Sequence, residues 1–146
     1  PILRQERSPV WPSTAYTGSI SHCDIAAAAA VTTELKGIGI DIERTDRVKE
    51  RLFAALFTET ERAVLAGLPS VAPAIAFSAK ESGYKAIFPT GAQFIGFQEA
   101  AVQLNWSAQT FTIEYFGAHQ PNRALHSGEG YWQVEGNYVL TIFVIN

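Results

Sequence analysis

The sequence predicts an α+β fold in which an antiparallel sheet packs on one long helix. Strand-like stretches open the chain, helical periodicity fills its middle, and strand-like stretches return from about residue 94 onward. Strands and helices segregated in this way are typical of the α+β class. We expect the 146 residues to form a single domain, 1–146, because a chain of this length can bury a substantial core.

Three strands are expected before residue 44. Residues 1–17 hold three prolines and form an extended, loop-like opening segment. Residues 18–22 alternate apolar and polar positions and predict a short strand. Residues 25–33 contain five consecutive alanines, which favour a helix by propensity. Turn-like segments bound that run, however, and we predict a buried strand. In residues 37–43 isoleucines alternate with glycine and acidic residues, the period of a strand with one buried face.

Helical signals fill the middle of the chain. Residues 48–57 repeat apolar side chains at three- and four-residue spacing, and Thr58 with Glu61 forms a capping-box pattern for the next helix. The longest helical signal spans about 74–88 and stops before Pro89. Its predicted apolar stripe includes three aromatic residues: Phe77, Tyr84 and Phe88.

The last third of the chain predicts strands at 100–104, 110–116 and 138–145. Gly136 and Asn137 precede the last of these and fit a two-residue hairpin turn. These strands supply the predicted antiparallel sheet.

Composition excludes several classes of function. The net charge of −3 argues against a broad nucleic-acid surface, which requires a basic face. The single cysteine, Cys23, has no internal partner, which fits a reducing compartment and a cytoplasmic location. No apolar run approaches the roughly 18 residues that a membrane-spanning helix needs.

Acidic residues mark the candidate site. Asp41 and Glu43 project from one face of the predicted strand, because successive side chains alternate between faces. Carboxylates about 4 Å apart repel by roughly 4 kcal/mol at an effective dielectric near 20, so a cluster that includes Glu81 needs a cation or a proton. Mg²⁺ prefers oxygen ligands and commonly binds substrate phosphates as well. We therefore predict a magnesium and phosphate site; the alternative is a half-exposed strand face that is merely acidic.

Basic residues accompany this candidate site. Lys80 and Lys85 are candidates for contacts with phosphate oxygens. The alternative is a solvated helix face on which Glu81 and Lys85 form an ordinary (i, i+4) pair. His22 is either structural or functional, and its neighbour Ser21 does not make it a hydrolase signature, since a triad is defined in space.

Three motifs resemble, in order, the signature of the 4'-phosphopantetheinyl transferases of the surfactin type. They are Gly18-Ser-Ile-Ser-His22, Gly39-Ile-Asp41-Ile-Glu43, and the run from Phe77 to Ala86 that contains Lys80-Glu81 and Lys85. The stretch from Pro9 to Pro12 is similar to the enterobactin-synthase-associated enzymes of bacterial siderophore pathways. The resemblance covers nearly the whole chain and weakens after about residue 96.

The resemblance implies transfer of the phosphopantetheine arm of coenzyme A to a serine of an acyl, peptidyl or aryl carrier protein, in siderophore or nonribosomal peptide biosynthesis. It implies that Mg²⁺ is held by three carboxylates: Asp41, Glu43 and Glu81. Glu81 would also help to deprotonate the carrier serine. Lys85 would contact the pyrophosphate and steady the leaving group, with Lys80 in support.

The resemblance also implies contacts with the nucleotide part of coenzyme A. Ser21 and His22 would bind its 3'-phosphate, and Arg7 falls where the family often places a basic residue near the nucleotide. Enzymes of this type have two similar halves, and this chain resembles mainly the second. We therefore expect a fragment that a missing N-terminal half or a second chain completes. Two alternatives stay open: a non-catalytic module that binds coenzyme A or a carrier protein, and another magnesium-dependent phosphate enzyme such as a phosphohydrolase.

Overall fold

The computed structural model describes residues 3–5 and 8–146. The strands and α-helices in chain order are β1 (Leu3–Gln5), β2 (Ser8–Val10), β3 (Thr17–His22), β4 (Ala27–Thr32), β5 (Gly37–Arg44), α1 (Phe53–Leu56), α2 (Glu59–Leu65), α3 (Ala72–Ile87), β6 (Ala100–Asn105), β7 (Thr110–Tyr115), β8 (Gly128–Glu135) and β9 (Tyr138–Ile145). Five antiparallel strands form the main sheet, in the order β5-β9-β8-β7-β6, and the longest helix, α3, packs across it. Two smaller sheets pair β1 with β2 and β3 with β4. This arrangement confirms the predicted α+β class.

The first part of the chain differs from the predictions in two places. The opening segment is not simply loop-like, because β1 and β2 pair in antiparallel register. β4 is a strand, as predicted, but it is not buried: its residues alternate between exposed and half-buried. Within the described residues its only neighbour in a sheet is β3, so one edge of β4 is left without a strand.

The helices follow the sequence signals, but the first is shorter than predicted. The predicted helix at 48–57 is a 3₁₀ turn (Glu50–Leu52) followed by the single turn α1, because Phe57 is extended. The capping box at Thr58 is confirmed, since its hydroxyl accepts from Glu61 N and the Glu61 carboxylate accepts from Thr58 N. In the part of the chain that the structure describes, no helix combines the length and the apolar character that crossing a bilayer requires.

The core lies between α3 and the inner face of the main sheet. The predicted aromatic stripe of α3 is wrong, because Phe77, Tyr84 and Phe88 are each only half-buried. The buried residues of the helix are mainly small, with Ile75 and Ile87 as the large apolar ones. The sheet contributes large side chains to the same core: Phe111, Ile113, Val139, Phe143 and Ile145.

Two glycines of β5 bring the strand and the helix into unusually close contact. A Cβ atom on Gly39 would collide with the carbonyl oxygen of Ser82, and one on Gly37 would collide with the carbonyl of Ala86. Only a residue without a side chain permits this approach of two backbones. The close contact holds α3 against β5, the strand that carries Asp41 and Glu43.

Candidate functional site

Asp41 lies at the centre of the site, with only 3% of its surface exposed. Its Oδ1 accepts from Lys85 Nζ at 2.7 Å and from Ser21 Oγ at 3.2 Å. Its Oδ2 accepts from Ser78 Oγ at 2.9 Å. A buried carboxylate requires such partners, because an unpaired charge away from water is costly.

Lys85 contacts this buried carboxylate and is itself partly exposed to solvent. Its Nζ also donates to the Ile40 carbonyl at 3.1 Å and to Ser21 Oγ at 3.3 Å. The side chain is 28% exposed, whereas that of Asp41 is 5% exposed. The ammonium group is therefore held by three fixed partners, while the side chain as a whole stays partly exposed.

A cleft of about 290 Å³ opens over this pair. It is lined by Pro9, Ile20, Ser21, His22, Asp41, Ile42, Glu43 and Lys85. The structure thus brings five of the predicted positions on β3, β5 and α3 to one cleft, with His22 exposed at the end of its strand. A role for His22 with a phosphate stays a prediction.

Glu43 lies in the electrostatic field of two other carboxylates. Burial raises the pKa of its carboxyl, and the charges of Asp41 and Glu81 raise it further. Arg47 opposes them, with its Nε 3.5 Å from Glu43 Oε2. Carboxylates that repel one another in this way offer hard oxygen donors whose repulsion a divalent cation relieves. The chemistry of these three side chains therefore fits Mg²⁺.

Glu81 is not among the residues that line this cleft. It lines a second cavity, of about 260 Å³, with apolar neighbours that include Tyr84, Phe94 and Ile113. In residues 3–5 and 8–146, no three His, Cys, Asp or Glu side chains are arranged to hold a metal ion. Asp41 is instead neutralised by Lys85, and Glu43 lies beside Arg47. The three-ligand magnesium site stays a prediction.

Other predicted residues lie differently from the expectation. Lys80 is not on the phosphate side: it is 7% exposed and its Nζ is 2.8 Å from Glu61 Oε2. The reason is that α3 turns this side chain towards α2. The Ser21 hydroxyl donates to Asp41 Oδ1 and accepts from the Ile42 N–H. These bonds favour a role in holding Asp41 over a contact with a phosphate. Arg7 lies outside the described residues.

The sequence interpretation missed residues that support the site from below. Ser78 is fully buried and links Asp41 to Thr141, whose Oγ1 is 2.9 Å from Ser78 Oγ. Thr141 lies directly opposite Asp41 in the pairing of β5 with β9. Helical spacing contained a signal for Ser78, since it precedes Glu81 by three residues and shares its side of α3. Nothing in the sequence indicated Thr141.

Family comparison agrees with the motifs. Residues 37–143 match the 4'-phosphopantetheinyl transferase superfamily, and residues 1–32 match the 4'-phosphopantetheinyl transferase N-terminal domain. The first match includes Asp41, Glu43, Glu81 and Lys85.

Two relatives show the extent of the similarity. The chain is 37% identical over 150 residues to enterobactin synthase component D of Escherichia coli, an alignment that covers 97% of this chain and 65% of that protein. It is 32% identical to the 4'-phosphopantetheinyl transferase Svp of Streptomyces mobaraensis, with 99% of this chain and 63% of that protein covered. The chain therefore spans slightly less than two thirds of each of these proteins.

A solved structure shows the same fold. The Helicobacter pylori holo-[acyl-carrier-protein] synthase, in complex with coenzyme A, superposes with a TM-score of 0.57 over 75% of this chain and 99% of its own, at 17% identity. The family match over most of the chain confirms the resemblance drawn from the three motifs, and the E. coli relative confirms the enterobactin-associated branch. The chain belongs to the 4'-phosphopantetheinyl transferase superfamily.

Proposed function

We propose that this protein transfers the 4'-phosphopantetheine group of coenzyme A to a serine of a carrier protein, with Mg²⁺ as cofactor. The observation that carries the proposal is the cleft in which Asp41, Glu43 and Lys85 meet the end of the His22 strand. The similarity to enterobactin synthase component D favours a carrier protein of siderophore or nonribosomal peptide biosynthesis. A cytoplasmic location belongs to the same proposal.

Substrate binding follows the distribution of charge in the cleft. Lys85, a partly exposed lysine that lines the cleft, meets the pyrophosphate oxygens, while His22, which also lines it, meets the 3'-phosphate. Arg7 is proposed for the same nucleotide. A missing N-terminal half, or a second chain, completes this part of the pocket.

The pantetheine arm requires a different environment. It is long and uncharged, and the cavity of about 260 Å³ beside Glu81 is lined mainly by apolar side chains. Tyr84 and Phe94, whose ring centroids are 6.2 Å apart, stand at this cavity. Glu81 therefore lines the apolar cavity for the arm, while its charge acts on Glu43 in the polar cleft for the phosphates.

Asp41, Glu43 and Glu81 would hold Mg²⁺. When bound there, the ion neutralises charge on the pyrophosphate oxygens. Glu81 accepts the proton of the carrier serine hydroxyl as the serine oxygen bonds to the phosphorus next to the arm. The bond from that phosphorus to adenosine 3',5'-bisphosphate breaks, and Lys85 donates hydrogen bonds to the departing oxygen. Positioning and charge neutralisation of this kind are the main contributions to such transfers.

The intact mass of an apo carrier domain tests the proposal. After incubation with the protein, coenzyme A and Mg²⁺, the carrier should gain the mass of one phosphopantetheine group. Glu81→Gln should abolish this gain, whereas Glu59→Gln, an exposed carboxylate at the start of α2, should leave it intact. Normal transfer by Glu81→Gln would contradict the assignment. Tight coenzyme A binding without transfer would favour the non-catalytic binding module instead.

A further inference from the structure

The most deeply buried ion pair of the described residues joins Lys80 to Glu61. Their side chains are 5% and 3% exposed, and Nζ and Oε2 are 2.8 Å apart. Removing two charges from water costs several kcal/mol per ion, so such a pair persists only where every hydrogen-bonding group is satisfied. Lys80 meets that condition, because its three protons have three acceptors: Glu61 Oε2, the Leu56 carbonyl at 3.0 Å and the Phe97 carbonyl at 2.7 Å.

Glu61 caps α2 and also binds the sheet and α3. Its Oε2 also accepts from Thr58 N at 2.8 Å, which closes the capping box. Its Oε1 accepts from Val102 N at 2.8 Å, on the edge strand β6. One carboxylate thus connects the start of α2, the edge of the main sheet and, through Lys80, the middle of α3.

Lys80, the lysine of this pair, borders the apolar cavity that Glu81 also lines. Lys80, Glu81 and Tyr84 form the wall contributed by α3, and residues 94–97 form part of the facing wall. The hydrogen bond from Lys80 to the Phe97 carbonyl ties the two walls together. Phe77 stacks on Phe97 with ring centroids 5.6 Å apart and strengthens the same connection.

We propose that Glu61 and Lys80 are positioning residues that set the width of this cavity and so determine how tightly the pantetheine arm is held. Neither residue contacts the phosphate groups, because the Lys80 and Glu61 side chains are 5% and 3% exposed and Lys80 is turned away from the polar cleft. Lys85, which is accessible at the polar cleft, serves the phosphates instead. This inference rests on the proposed function, since it assigns the arm of coenzyme A to the cavity.

The test compares two ligands that differ in the arm alone: coenzyme A and adenosine 3',5'-bisphosphate. Binding of each is measured by calorimetry to the purified protein, to Glu61→Gln and to the double variant Lys80→Met/Glu61→Gln. The double variant removes both buried charges, so it does not leave one of them unpaired. Lys49→Met, which neutralises an exposed lysine, is the matched control.

Both variants should bind coenzyme A more weakly by on the order of tenfold or more, as a displaced cavity wall predicts, and should bind the bisphosphate like the wild type. Lys49→Met should bind both ligands normally. Equal weakening of both ligands would overturn the inference and make Lys80 a phosphate contact. Unchanged coenzyme A binding in a folded double variant would also overturn it. Failure of the wild type to bind either ligand, even with an N-terminal half supplied, would instead reject the proposed function.

Discussion

At the scale of single residues, Asp41 depends on partners that hold each of its carboxylate oxygens. Lys85 and Ser21 donate to one oxygen, and Ser78 donates to the other. This fixes the carboxylate plane before any substrate binds. Preorganised charge of this kind is more effective than charge that must reorient during a reaction.

Removing the Ser78 hydroxyl tests this arrangement. Ser78→Ala leaves Asp41 Oδ2 without its buried donor, so we expect a loss of about 1–3 kcal/mol in the free energy of unfolding and weaker coenzyme A binding. Ser82→Ala is the control: Ser82 is equally buried on α3, but its hydroxyl donates only to the Ala79 carbonyl of its own helix. Denaturant unfolding and calorimetry measure both effects. Equal losses of coenzyme A binding in the two variants would contradict a specific role for Ser78.

Glu43 makes stability depend on pH. Burial, followed by the charge of Asp41, raises the pKa of its carboxyl, so the folded state holds this proton more tightly than the unfolded state does. The resulting stabilisation is complete at a pH below the unfolded-state pKa and is lost as pH rises through the folded-state pKa.

Glu43→Gln removes the charge that causes this loss. In metal-free buffer the variant should be more stable than the wild type at neutral pH, and the difference should shrink as the pH falls to about 4. Denaturant unfolding at a series of pH values measures it. Glu135→Gln, an exposed carboxylate at the end of β8, controls for net charge. If the stability advantage of Glu43→Gln over the wild type grew as the pH fell, the predicted direction of the pKa shift of Glu43 would be wrong.

At the scale of elements, the contact between β5 and α3 determines the geometry of the site. The glycines of β5 allow the helix backbone to lie against the strand backbone. Asp41 on the strand and Lys85 on the helix therefore meet across this contact at 2.7 Å. Gly37 and Gly39 of the Gly-x-Gly pattern therefore allow β5 and α3 to pack closely.

A methyl group at Gly39 should separate these elements. Gly39→Ala would collide with the Ser82 carbonyl, which is backbone and cannot rotate away. We expect a loss of about 2–3 kcal/mol in the free energy of unfolding, as for other overpacked sites, together with weaker coenzyme A binding. Gly67→Ala, where the new atom meets only Val64 O at 3.6 Å, should be tolerated. A stable, fully binding Gly39→Ala protein would refute the role of this contact.

At the scale of the whole molecule, the site lies where a small sheet meets the large one. β3 carries Ser21 and His22, and β5 carries Asp41. The two strands are joined by serine side chains: Ile40 N donates to Ser19 Oγ at 3.0 Å, and Ile42 N donates to Ser21 Oγ at 3.1 Å. The cleft therefore depends on this connection between sheets.

Breaking one of these bonds should loosen the small sheet. Ser19→Ala leaves the buried Ile40 N–H without its acceptor, at a cost of about 1–3 kcal/mol. Hydrogen exchange at the Ile40 amide should accelerate, while amides of β8 and β9 in the main sheet should be less affected. Ser107→Ala, whose hydroxyl bonds an exposed asparagine in a turn, is the control. Unchanged exchange at Ile40 would contradict this connection.

Much of the fold was predictable because its signals are local. The period of two in residues 37–43, the capping box at Thr58 and the turn at Gly136 each identify an element from adjacent residues. The aromatic stripe of α3 was mispredicted because large side chains usually mark a buried face. Here α3 lies so close to β5 that its buried face has room mainly for small residues.

The two lysines show what sequence spacing leaves undecided. Lys80 and Lys85 are five residues apart, which places them about 140° apart around a helix axis. They cannot face the same ligand, so at most one could serve the cleft. Which lysine does so depends on the rotation of α3 against the sheet, and that rotation is fixed by contacts with distant segments.

The sequence by itself determined the family, the order of the elements and the segments that carry Asp41, Glu43, Glu81 and Lys85, because these depend on local patterns and motifs. Only the tertiary structure decided that Lys80 is buried against Glu61 and that Ser78 and Thr141 support Asp41. The physical reason is that such partners lie far apart along the chain and meet only once α3 packs on the sheet.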